Sequence, residues 1–215
     1  MESDESKVRR DAAITRLLLR CGVWAGPFYL TVGLAQTILR DGFVFARHPL
    51  SVLTNGPGGW IQTVNFVLTG FMVLGASVGF GRMLGRKARA MRWFLGGFGV
   101  SMIVASIFPA DPVDGFPPGT PLGPPTSIST TGLVHFIAGA LGFAFLAISC
   151  FFAARAMRNV SPLALLSLIS GFAVVLGFFG GIVLPMGVVG IWFAVVVGWA
   201  WLTVISLRLN RPLRD

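Results

Sequence analysis

The chain has 215 residues, of which 54% are hydrophobic and only 12% charged, and its mean hydropathy of +0.80 is far from the balance a water-covered domain needs. A bilayer solvates such a surface and demands only that backbone groups bond internally, which helices do segment by segment. The formal net charge of +9 does not mark a nucleic-acid binder, because the basic residues fall in short clusters between long apolar runs and form no basic domain.

Residues 1–16 read as a polar N-terminal segment without a cleavable signal, since the apolar run that follows is long and lacks a small-residue cleavage site. A hydrocarbon core about 30 Å thick needs roughly 20 apolar residues per helix. Runs of that order predict six transmembrane helices, at 17–39, 60–84, 93–108, 133–156, 163–184 and 188–207. The expected fold class is therefore all-α, a polytopic membrane helical bundle forming one domain over 17–207. Outward loops fall near 40–59 and 109–132, Pro185-Met186-Gly187 makes a tight turn, and a tail follows at 208–215.

Positive residues near helix ends are retained on the cytoplasmic side. Lys7, Arg9, Arg10, Arg16 and Arg20 lie at the first helix, and Arg82, Arg86, Lys87, Arg89 and Arg92 between the second and third. Arg155 and Arg158 follow the fourth, and Arg208, Arg211 and Arg214 the sixth. Only Arg40 and Arg47 sit on the opposite side. This alternation predicts both termini in the cytoplasm, in the inner membrane of a prokaryote. Cys21 and Cys150 fall near cytoplasmic helix ends, where thiols stay reduced, and read as packing residues.

Trp60 and Trp93 stand at predicted helix ends, where indole rings favour the headgroup region, whereas Trp192, Trp199 and Trp201 lie within the last span and read as packing. Small residues four apart, Gly75 with Gly79, Ala138 with Gly142 and Gly177 with Gly181, allow close helix approach within the bundle.

The two outward loops and the helix ends beside them carry the polar chemistry. The first holds Arg47, His48 and a glycine-rich turn at 55–59; the second holds seven prolines, which preclude a regular helix, with Asp111 and Asp114 as its only charges. Gln62, Asn65 and Thr69 form a stripe on one helix face, and His135 enters the membrane on the fourth span. An ionisable group at membrane depth is a functional candidate by default. The candidate polar pocket is thus Arg47, His48, Gln62, Asn65, Asp111 and His135. No catalytic residue is assigned, because Ser127 or Ser129 with His135 and Asp111 lacks a nucleophile elbow. Two histidines and few acidic residues predict no metal site, and no phosphate-binding motif or cofactor is expected.

The run Pro49-Leu50-Ser51-Val52-Leu53, then Gly56 to Trp60 with Asn65-Phe66, then Phe108-Pro109-Ala110-Asp111-Pro112 and the later His135, resembles the prokaryotic membrane-protein family of domain of unknown function 998. The resemblance covers nearly all six spans, and implies a compact polytopic bundle with Asp111 and His135 as the positions to test. Where it leads one to expect a Glu-Arg pair near the last outward turn, this chain has Leu184-Pro185-Met186-Gly187. The function expected is a membrane module that binds a lipid or small apolar ligand, or supports a partner protein, through an outward-facing polar pocket. The alternatives are a proton-coupled transporter and, behind it, a membrane-embedded hydrolase or transferase.

Overall fold

The computed structural model describes residues 4–125, 127–183 and 187–210. Leu184, Pro185 and Met186 of the last predicted turn, and Arg211 and Arg214 of the tail, lie outside the described residues. Six α-helices follow one another: α1 (Asp4–Leu39), α2 (Gly59–Leu84), α3 (Arg89–Ile107), α4 (Thr130–Ala156), α5 (Ser161–Val183) and α6 (Gly187–Asn210). Short 3-10 turns occupy Leu50–Thr54 and Gly85–Ala88. Among the described residues the only β-pairing is an isolated bridge between Val113 and Phe116. Five helical stretches are long and apolar enough to cross a membrane, and one of them, Gly59–Ile107, runs from α2 through the turn at Gly85 into α3.

Each helix packs on the next in sequence, and α6 returns to pack on α1, so the helices close into a ring. Antiparallel succession puts the two long connections, 40–58 and 108–129, at one end of the ring. The short connections 85–88 and 157–160 lie at the other, basic end. There α1 begins thirteen residues before the apolar run, because a membrane helix propagates outward at little cost once nucleated. Acidic Asp4 and Glu5 in its first turn favour that start, and Arg82 of α2 pairs with Asp11 at 2.9 Å.

Small residues set the helix spacing. Gly177 and Gly181 of α5 lie against the backbone of Gly190 and Gly187 of α6, Gly79 against Leu18 and Leu19 of α1, and Gly142 against Ser101 of α3. The four-residue spacings therefore serve packing within the ring. Pro27 interrupts the α1 ladder because it has no N–H. The Val23 carbonyl four residues earlier accepts the Thr203 hydroxyl of α6 instead, at 3.3 Å.

Candidate functional site

The two long connections are strapped together at the loop end, and His48 is the buckle. It is fully buried. Its Nδ1 accepts the Val44 N–H at 2.9 Å, which makes Nε2 the protonated nitrogen of the neutral ring, donating to the Asp114 carbonyl at 3.0 Å. Its own carbonyl accepts the Trp192 indole N–H at 3.1 Å, tying α6 to the same point. Phe116 is buried between Phe43 and His48, with the Arg40 guanidinium 5.0 Å above its ring. Arg40 donates to the Leu53 and Asn55 carbonyls, the open end of the Leu50–Thr54 turn. Arg47 lies 3.7 Å from the Asp114 carboxylate.

Asp111 acts on the start of α4. The usual capping box pairs an N-cap serine with a glutamate three residues on, whose carboxylate accepts the N-cap N–H. Here the serine is Ser129, and its hydroxyl accepts the Gly132 N–H at 2.9 Å. The carboxylate comes from the preceding loop instead: Asp111 accepts the Ser129 N–H at 2.9 Å and the Ser129 hydroxyl at 2.5 Å. The third helical position must then be glycine, since a Cβ on Gly132 would stand 2.1 Å from an Asp111 oxygen. His135, one turn deeper, donates from Nδ1 to the Phe108 and Ala105 carbonyls at 2.8 and 3.1 Å, satisfying acceptors that the end of α3 leaves open. Among the described residues no hydrogen bond or ion pair joins Asp111 to His135.

The polar stripe of α2 faces α1. The Gln62 carbonyl oxygen accepts from the Gln36 and Asn65 side-chain amides at 2.9 and 3.2 Å. The Asn65 amide also reaches the Tyr29 carbonyl at 3.1 Å, and its side-chain oxygen accepts from Thr69 at 3.3 Å. All of these side chains are buried. Inside a membrane such a network ties two helices together, because the groups have no water to turn to.

Enclosed by the ring, beneath the strapped loops, is a cavity of about 190 Å³ to which every helix contributes. Its wall includes Tyr29 of α1, Phe66 of α2, Phe98 of α3, His135 and Phe143 of α4, Phe178 of α5 and Trp199 of α6, with Leu50 at the loop end. A ring of six helices in pairwise contact cannot fill its own centre unless large side chains do, and Gly139 and Gly142 on the wall supply none. Phe136 and Ile182, 54% and 44% exposed, place one flank of the cavity at the outer seam of α4 and α5. The wall is overwhelmingly apolar and aromatic. With Nδ1 engaged, Nε2 of His135 is the acceptor of the neutral ring and forms no hydrogen bond among the described residues.

The six residues predicted to share a polar pocket do not converge on one. Arg47 and His48 belong to the loop strap, Gln62 and Asn65 to the α1–α2 seam, Asp111 to the α4 cap; only His135 lines the cavity. The pocket that exists is apolar, because its polar neighbours spend their hydrogen bonds on backbone and on each other. Arg40, Phe116, Trp192, Gln36 and Tyr29, which complete these arrangements, have no sequence motif, although Arg40 stands out as a positive charge at the loop end.

The family model described as protein of unknown function (DUF998) matches residues 23–208, most of the chain. No curated protein and no solved structure matches it.

Proposed function

We propose that this chain, which belongs to the DUF998 family of proteins of unknown function, is a six-span membrane module that binds a lipid or another small apolar molecule in its ringed cavity. One observation carries the reading: an apolar space of about 190 Å³ with a single convergent imidazole, walled by all six helices. Apolar cavities of roughly 150 Å³ already stay dry and take up a benzene-sized guest, and such pockets with few placed polar groups are the usual form of small-molecule sites. His135 Nε2 would accept a hydrogen bond from the ligand's polar end. Among the cavity-lining residues none is a carboxylate, so a proton relay would lack a second station, and the transporter reading is the weaker one.

The test is saturable binding of a solvatochromic acyl-chain fluorophore to purified protein. A side chain at Gly139 enters open space on the cavity wall: apart from its chain neighbours and its own helix backbone, no heavy atom of the described residues lies within 4 Å of its Cβ position. Gly139→Leu is therefore expected to leave the melting transition in place and weaken binding at least about tenfold, roughly 1.4 kcal/mol. Undiminished binding by a folded Gly139→Leu protein overturns the proposal.

The proposed topology puts both termini on the cytoplasmic side of a prokaryotic inner membrane. Support comes from the basic clusters at one end and from the fate of the two exceptions: Arg47 faces Asp114, and Arg40 is bound to carbonyls. In a variant lacking the native cysteines, an impermeant maleimide is expected to label exposed Leu122→Cys in intact cells and Arg86→Cys only after lysis. The reverse pattern sinks the orientation.

A further inference from the structure

Outside the ring, sharing only Ser101 and Ala138 with the cavity wall, α3 lies at the floor of a groove of about 640 Å³ between α2 and α4. We propose that this groove holds one anionic phospholipid, with an acyl chain along α3 and its phosphate at Arg92. The floor is Gly96, Gly97 and Val100; the Phe145 ring lies over Gly97, while the nearest atom to a Cβ position at Gly96 is Ser77 Oγ at 3.5 Å. Val78 on one wall, Leu141 on the other and Val100 between them are 39%, 49% and 51% exposed, so the groove is open to its surroundings along its length.

Its dimensions and its charge select the occupant. From Arg92 to Val104, the two ends of the α3 lining, is twelve residues, about 18 Å of helix, a little over half of a hydrocarbon core about 30 Å thick. The groove is thus as deep as one leaflet. At its basic end Trp93 is 67% exposed, as an indole at headgroup level should be. The Arg92 guanidinium sits 5.2 Å over that ring, and its aliphatic stem lies against Gly81, which holds the charge at the groove's mouth. Arg86, Lys87, Arg89 and Arg92 are all exposed, and among the described residues none pairs with a carboxylate, whereas Arg82 beside them is neutralised by Asp11. Among the described residues no side chain caps the start of α3, so the positive end of its dipole points the same way. A zwitterionic lipid would leave this charge uncompensated.

Native mass spectrometry on protein incubated with equal amounts of phosphatidylglycerol and phosphatidylcholine of matched chains tests the proposal. The wild type is expected to retain one phosphatidylglycerol in preference by about fivefold or more, from roughly 1 kcal/mol per basic residue at the surface. Arg92→Gln is expected to bring the ratio close to one while total retained lipid persists. Val100→Trp and Leu141→Trp, each filling the groove from an exposed position, are expected to lower retention of both lipids without moving the melting transition. Equal retention by the wild type, preference surviving in Arg92→Gln, or full retention in both tryptophan variants overturns the proposal. Displacement of the bound lipid by millimolar glycerol phosphate also overturns it, since the headgroup alone would then account for binding.

Discussion

Gly132→Ala isolates the cap that Asp111 lends to α4. The substitution pits two effects against each other. Alanine stabilises a helical position by about 1 kcal/mol relative to glycine, yet its Cβ would lie 2.1 Å from Asp111 Oδ2 and 2.4 Å from Cγ, so the carboxylate must leave. Its departure removes two charge-assisted hydrogen bonds to Ser129, nominally 1.5–3 kcal/mol each but nearer ~1 at this solvent-reachable site. The net expectation is a loss of about 1 kcal/mol. In an Asp111→Ala background there is no carboxylate to expel, and the same Gly132→Ala change is expected to gain about 1 kcal/mol. The sign should reverse between backgrounds, a coupling of about 2 kcal/mol, well above the ~0.5 kcal/mol scatter of independent sites. Equilibrium unfolding of the four proteins in mixed micelles, followed by far-UV circular dichroism, measures it. A Gly132→Ala effect of one sign and size in both backgrounds would refute the shared cap.

Removing His48 should undo the loop strap. His48→Ala strands the Val44 N–H and the Asp114 carbonyl and empties a fully buried position, an expected loss of about 3 kcal/mol; limited proteolysis should then cut within 40–58 faster than in the wild type. At the other end the Ser206 hydroxyl is buried with no hydrogen-bond partner among the described residues, so Ser206→Ala is expected to be neutral or to stabilise by about 1 kcal/mol in the same unfolding assay.

The helices were legible because a bilayer leaves little freedom: a spanning segment must be long, apolar and helical. Predicted and observed ends agree within four residues, except at α1, whose polar start at Asp4 carries no apolar signal. The site was legible only as a set of residue types. A period of 3.6 puts Gln62, Asn65 and Thr69 on one face, but nothing in that spacing says the face meets α1 rather than a cavity. Asp111 and His135 both proved to serve the junction of α3 and α4, one at a helix start and one at a helix end, and chain order alone could not separate such roles from catalysis or transport. A signal for the first was present: Ser129-Thr130-Thr131-Gly132 has the serine of a capping box with glycine where its glutamate belongs. The proline-rich loop gave no periodicity from which to find Phe116, although that ring anchors the loop.

The contact of α6 with α1 has a bearing on how the protein is made. The first span to leave the ribosome must wait for the last before its seam is covered, and that seam includes Gly22, whose neighbours are Ser206 and Ala76, and Gly26, against Trp199. Until then α1 turns a thin, glycine-marked side toward lipid, with the carbonyl opposite Pro27 unmatched. Biogenesis of this bundle thus finishes by circular closure, and a chain halted before its final segment would lack one wall of the enclosed chamber and the indole that steadies its lid.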